Sequence, residues 1–205
     1  SVEIMVMPKI NPDTSWTNKQ CGTDVEFTFN ANPTDVNTYS YYIDDRHNPN
    51  SPITTTHIFT YQFDYPGIYL FTQYISNLNG CYDSIIDYLH VYPNPIADFS
   101  ADINEGCEAL AVNFINNSFI EWDSLYNNGS STIITWDWEF GDGEIFPDSS
   151  SSHTYNTDST GSIISYFPAL YIETNFGCYG YFELIDGITI HPTPIPFIST
   201  PIQLG

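Results

Sequence analysis

The residues from Thr135 to Glu144, "TWDWEFGDGE", set four acids among two tryptophans and a phenylalanine. Paired carboxylates at this density could exchange protons with a substrate or hold a cation, so chemistry is the first reading to test. Catalysis needs partners, and the sequence supplies none at a working spacing. His47, His57, His90, His153 and His191 are scattered, with no HExxH pattern. There is no GxSxG, no phosphate-binding loop and no GxGxxG. No catalytic residue and no enzymatic activity are expected. Calcium is the only cofactor the acids leave in play, with Asp98, Asp102 and Glu105 in one group and Asp44 and Asp45 in a turn. None has the Dx[DN]xDG spacing of a tight calcium loop, so no metal ligand is assigned. Diffuse screening by cations is the plainer alternative.

The elements around that stretch must belong to a strongly acidic, aromatic-rich fold. The chain has 205 residues and a formal charge of −22, with only Lys9, Lys19 and Arg46 set against 25 acids. Such a surface repels phosphate backbones and anionic lipid, so no nucleic-acid partner and no direct membrane insertion are expected. Aromatic residues make up 17% of the chain, which gives ample area for packed cores and argues against disorder. No apolar run is long enough to span a bilayer. The start, "SVEIMVMPKI", lacks the basic and apolar regions of a signal peptide, so any export signal or anchor is expected outside this piece. Cys21, Cys81, Cys107 and Cys178 match no CxxC metal spacing. Disulfides in an oxidising compartment, and hence an extracellular or cell-surface location, are the better reading.

The sequence repeats itself. "HVYPNPIADF" (90–99) returns in outline as "TIHPTPIPF" (189–197), a period of 99 residues set by Pro93 and Pro192. Upstream, "YISNLNGCYD" (74–83) matches "YIETNFGCYG" (171–180), and "CGTDVEFTF" (21–29) matches "CEALAVNFI" (107–115). Three landmarks in one order give repeats over 1–93 and 94–192, with residues 193–205 beginning a third. His90 and His191, beside the proline joints, read as equivalent positions.

Within each copy the apolar residues alternate with period two, as in Val25, Phe27 and Phe29, or Val112 and Phe114. Asn79–Gly80 is a hairpin turn signal, and no window carries a helical stripe. The fold class expected is all-β, with tandem Ig-like antiparallel β-sandwiches. In Ig order, strands A, B, C, E, F and G fall near 3–10, 25–31, 38–44, 58–63, 67–76 and 83–92, then near 97–103, 111–117, 132–140, 151–156, 163–174 and 180–190. The B–C connection is longer in the second copy, and its Phe119, Ile120 and Trp122 are expected to pack at the joint between the domains. In the opening stretch, Trp136, Trp138 and Phe140 share one face of strand C and suit a core, leaving Asp137 and Glu139 towards water. Gly141 and Gly143 permit a tight turn, and Asp142 can bond its backbone.

"WDWEFGDGE" followed by "HTY" (His153–Tyr155) resembles the PKD domain (polycystic kidney disease repeat), with its W-x-F-G-D-G and later H-x-Y. In the first copy "YSYYIDDR" (39–46) stands where the motif belongs and "FDY" (63–65) replaces H-x-Y. The paired cysteines, "NGC" hairpins and proline joints look like PKD arrays of giant Bacteroidota surface proteins, gliding-motility adhesins among them. The resemblance implies a non-catalytic, stiff, protease-resistant spacer in a stalk, adhesin or surface filament. Its partners would be neighbouring repeats and other copies of the filament. The alternative is a substrate- or carbohydrate-binding accessory module of a secreted hydrolase, with Trp16 and Trp122 as candidate exposed rings.

In an Ig-like sandwich strands B and F run the same way. The start of B (Cys21, Cys107) and the end of F (Cys81, Cys178) therefore lie ~20–25 Å apart, beyond the ~7 Å a disulfide allows. Stacking repeats end to end brings Cys21 towards Cys178, with Cys107 and Cys81 left for neighbouring repeats. Cys21–Cys81 with Cys107–Cys178 remains the competing arrangement. The resemblance further implies O-glycans at Asp-Ser-apolar-like triplets, which places them on Ser84, Ser124 and Ser159. Intact mass spectrometry of protein from its native host is expected to show glycan mass at these serines; three unmodified serines would reject the assignment.

Overall fold

A computed structural model of the chain describes residues 19–22, 24–28, 36–44, 58–63, 65–121, 131–149, 151–157, 161–194 and 196. Strand A of the first copy, Trp16, Asp45, Trp122, Ser124 and Ser159 lie outside them, as does nearly all of 193–205. No helix occurs among the described residues, so none is long and apolar enough to cross a membrane. The chain is all-β and divides into two compact units. One comprises Ser1–Asn94, Ile120–Thr132 and Thr174–Cys178; the other comprises Pro95–Phe119, Ile133–Glu173 and Tyr179–Gly205.

The first run of strands is β1 (Lys19–Cys21), β2 (Asp24–Thr28), β3 (Thr38–Ile43), β4 (Ile58–Gln62), β5 (Gly67–Ser76) and β6 (Tyr82–Tyr92). β1, β6, β5 and β3 form one sheet, and β2 pairs with β4. Alternation sends Tyr69, Phe71 and Ile75 of β5 inward, where they meet Tyr39, Tyr41 and Ile43 of β3 and Leu89 and Val91 of β6. β1 lies parallel to β6, setting Lys19 opposite His90 and Cys21 opposite Tyr92.

The second run is β7 (Pro95–Ile96), β8 (Phe99–Ala101), β9 (Glu105–Cys107), β10 (Leu110–Asn116), β11 (Phe119–Ile120), β12 (Ile133–Glu139), β13 (Ile145–Pro147), β14 (Ser151–Tyr155), β15 (Ile164–Tyr166), β16 (Ala169–Thr174), β17 (Tyr179–Glu183) and β18 (Ile188–His191). Sheet β14-β10-β8 supplies Phe99, Val112, Phe114 and Tyr155 to the second core. Sheets β13-β12-β16-β17 and β15-β18-β9 supply Trp138, Leu170, Ile172, Ile188 and Ile190. The run expected as one strand over 163–174 is broken at Phe167–Pro168, because proline brings no N–H to the ladder. The Pro168 carbonyl instead accepts from Leu184 N at 2.9 Å, where the neighbouring run is also broken. The parallel strands β1 and β9 have no counterpart in the sequence reading. Three residues without clear alternation are invisible to a periodicity test.

The register corrects two correspondences between the copies. Cys107 pairs opposite His191 as Cys21 pairs opposite Tyr92, so Tyr92 rather than His90 is the counterpart of His191. His153 sits opposite Val112, and Tyr61 opposite Val25. Thus Tyr61 and Phe63, not Phe63 and Tyr65, occupy the places of His153 and Tyr155. Burial agrees: Phe63 and Tyr155 are fully buried, whereas Tyr65 is exposed.

Gln73 is a polar residue inside the first core, at the position where the second copy has Leu170. Both are fully buried. The Gln73 amide donates to Tyr41 Oη at 3.4 Å, while its Oε1 meets no partner among the described residues. An unpaired buried acceptor costs about 1–3 kcal/mol, and burying a leucine well gains area. Gln73→Leu is therefore expected to raise the urea midpoint of the first unit, whereas Leu170→Ala lowers that of the second by about 2–5 kcal/mol in stability.

Candidate functional site

The turn after β12 is built from aromatic packing. Trp138 is fully buried and Phe140 nearly so, while Trp136 is half-buried against the same core. Trp138 lies edge-on to Phe99 (ring centroids 5.0 Å) and tilted against Phe114 (5.6 Å). Its indole N–H donates to the Asp148 carbonyl at 2.9 Å, so the one polar atom of the ring is satisfied. Beyond Phe140 the chain reverses through Gly141 (φ 81°) and Gly143 (φ 97°), closed by Phe140 N donating to Glu144 O at 3.1 Å. Gly141 has a second reason to be glycine: a Cβ there would stand 2.6 Å from Phe167 N.

Asp142 accepts from Glu144 N through Oδ1 (3.1 Å), and its Oδ2 lies 2.6 Å from His153 Nε2. The His153 ring stacks face to face on Phe140, with centroids 4.2 Å apart and planes 5° apart. Tyr155 lies edge-on to His153 (4.6 Å) and donates its hydroxyl to the Phe140 carbonyl at 3.0 Å. The H-x-Y residues thus fasten the turn from the facing sheet, one by its ring and one by its hydroxyl. Nothing here leaves a nucleophile beside a base, and the acids of the opening stretch divide into roles. Asp142 is spent on the turn, while Asp137 and Glu139 face away from the core.

Burial raises the Tyr155 pKa, and the Asp142 charge adds to the effect. In the first copy Phe63 takes this place without a hydroxyl, although its edge-on contact with Tyr61 (4.9 Å, 68°) repeats the His153–Tyr155 geometry.

Of the acids considered for calcium, Asp102 and Glu105 have partners of their own. Asp102 takes Asn113 N (2.9 Å) and Asn113 Nδ2 (2.7 Å), which hold its pKa below the usual carboxylate value and fix β8 against β10. Glu105 Oε1 lies 2.6 Å from His191 Nε2. Among the described residues no group of three or more His, Cys, Asp or Glu side chains could hold a metal ion.

Cys21 and Cys178 are bonded, with Cα atoms 5.4 Å apart across a sequence separation of 157. Cys178 is fully buried. In the same compact unit, Phe176 stacks on Tyr92 at 3.8 Å, and Tyr92 is the register partner of Cys21. Cys81 and Cys107 are free thiols, the latter exposed. Ser84 is exposed on β6. In the long connection Ile120 is buried and Phe119 half-exposed. Sequence reasoning named the turn residues but missed the Asp148 carbonyl, Tyr166 stacked on Tyr155 (5.0 Å) and the close approach of Phe167, none of which has a motif of its own.

No family model and no curated protein matches the chain. Several solved structures show some similarity to the chain. The PKD1 domain of the Vibrio cholerae metalloprotease PrtV shares 19% identity over 48% of this chain and 98% of that domain, with a TM-score of 0.35. Fibronectin(III)-like modules of Clostridium thermocellum CbhA share 11% over 85% of this chain and 87% of theirs, with a TM-score of 0.42. The three N-terminal domains of the bacteriophage RB49 outer capsid protein Hoc share 14% over 90% and 69%, with a TM-score of 0.46.

Tyr155→Phe leaves the Phe140 carbonyl without its donor and is expected to cost about 1–3 kcal/mol in urea unfolding. The pH dependence carries a sign. The folded chain holds the Tyr155 proton past pH 10.0, where an unfolded tyrosine releases it. That contribution is full below pH 10.0 and is lost as pH rises through the higher folded value. Stability measured from pH 9 to 11 should fall less steeply in Tyr155→Phe than in the parent; equal slopes would contradict the assignment.

Proposed function

We propose that this chain is a non-catalytic run of PKD-like sandwich repeats from a longer extracellular protein, a stalk, adhesin or surface filament of the gliding-adhesin kind in Bacteroidota. Its role is that of a tension-bearing, protease-resistant spacer. The observation that carries this reading is the pattern of the four cysteines. Cys21 and Cys107 end the equivalent strands β1 and β9, and Cys81 and Cys178 occupy equivalent hairpins. One member of each pair is bonded to the other copy's partner type, and the remaining two are free. Continued along an array, the same pairing joins Cys107 to the hairpin cysteine of the following repeat and Cys81 to the strand-end cysteine of the preceding one. Each partner is then a neighbouring repeat of the same chain.

Covalent topology gives the pattern a mechanical meaning. A pull on the chain ends runs through the Cys21–Cys178 bond and bypasses the residues between them. In the chain-entropy model a closed loop of this length adds about 5 kcal/mol to stability. Prolines at 93, 95, 192 and 194 restrict the joints, and three basic residues leave trypsin-like proteases few sites.

Non-reducing peptide mapping of the native full-length protein tests the reading. Cys107 is expected in a peptide linked to a hairpin cysteine of the next repeat. Free thiols at Cys81 and Cys107 in that material would overturn the array arrangement.

A further inference from the structure

The outward face of sheet β13-β12-β16-β17 holds a groove of about 490 Å³. Asp137 and Glu139 project from alternate positions of β12, and Tyr171 and Glu173 from alternate positions of β16; Tyr179 of β17 and Ile145 of β13 complete the walls. Tyr171, Tyr179 and Ile145 are 42%, 69% and 63% exposed, so the apolar walls are open to a ligand. Among the described residues no ion pair neutralises Asp137, Glu139 or Glu173. The chain's only strong bases, Lys9, Lys19 and Arg46, lie far off in sequence.

The acidity of the groove is not the even acidity of the whole surface. At the positions that correspond to Asp137, Glu139, Tyr171, Glu173 and Tyr179 the first unit has Ser40, Tyr42, Tyr74, Ser76 and Tyr82, with no carboxylate among them. Tyr171 is also held in place: its ring packs against Tyr181 at 4.7 Å, and the Tyr181 hydroxyl donates to Glu183 at 2.5 Å. The two ring planes are inclined by 43° and give no flat platform for a sugar.

We propose that this groove docks an extended, basic segment of a partner protein, seating an arginine or lysine side chain against Tyr171 and Tyr179 and among the carboxylates of Asp137, Glu139 and Glu173. A guanidinium satisfies both wall types at once, stacking on an aromatic face and donating in pairs to carboxylates. A neutral ligand would strip water from three uncompensated acids at a desolvation cost. The site is independent of the spacer reading, since it needs one unit and no array.

The test is a nitrogen-15 chemical-shift titration of the full 205-residue chain at about 0.15 M salt. The probe is acetyl-Gly-Arg-Gly-Arg-Gly-amide, compared with its citrulline counterpart, cellohexaose and calcium chloride. Shifts confined to the groove residues are expected with the arginine peptide alone. Asp137→Asn/Glu139→Gln/Glu173→Gln should weaken its Kd about tenfold or more, and Tyr179→Ala should weaken it without any change of charge. Asp83→Asn/Asp87→Asn/Glu121→Gln, with the same change in net charge elsewhere, should leave it unchanged. Shifts spread over the acidic surface, equal loss in the charge-matched control, or groove shifts produced by cellohexaose or calcium and not by the peptide would each overturn the proposal.

Discussion

The bond between Cys21 and Cys178 is the constraint on which the proposed spacer role depends. Hydrogen-bonded ladders and aromatic cores resist unfolding only cooperatively, and a load that peels one edge strand can undo them in sequence. A disulfide with 157 residues between its ends changes the path of the load instead of strengthening each step. Everything from β2 to β16 sits inside the covalent loop. Burial of Cys178 keeps solvent and reductant away from one sulfur.

What keeps the second sandwich folded is the tie between its two sheets at the motif turn. Trp138 fills the middle of the core, and the turn that follows would leave the Phe140 carbonyl buried without a donor. Tyr155 supplies that donor from the opposite sheet, and His153 clamps Asp142 and the Phe140 ring together. The first unit lacks this hydroxyl tie. Phe63 fills the space of Tyr155 without its hydroxyl, and Tyr41 stacks between Tyr39 (6.5 Å) and Phe71 (6.2 Å) in the place of Trp138. Loss of the motif letters therefore did not mean loss of the core.

The fold was legible because its signals are local. Alternation in "GIYLFTQYIS" and "LAVNFIN" specifies strands with one buried face, and the glycines of "FGDG" specify the turn between β12 and β13. A β-rich run over 163–174 predicts one continuous strand, and the missing N–H of Pro168 matters only once a partner strand is present. The short parallel strands β1 and β9 owe their existence to β6 and β18 and have no signal of their own. The register between the copies was misread at "FDY" for a similar reason. Matching letters placed Tyr65 on Tyr155, whereas pairing across β2 and β4 places Phe63 there. The groove on β12, β16 and β17 needed the structure altogether, since its acids and tyrosines come from separate stretches that only sheet order brings together.

Single-molecule stretching of the chain, held at its two ends, addresses the load path most directly. Under oxidising conditions the stretched length should fall short of the fully extended chain by the closed loop, and added reductant should release roughly 50–57 nm, the reach of 157 residues at about 3.3–3.6 Å each. Full extension without reductant, with no added length on its addition, would contradict the claim that tension bypasses the sandwiches through Cys21 and Cys178.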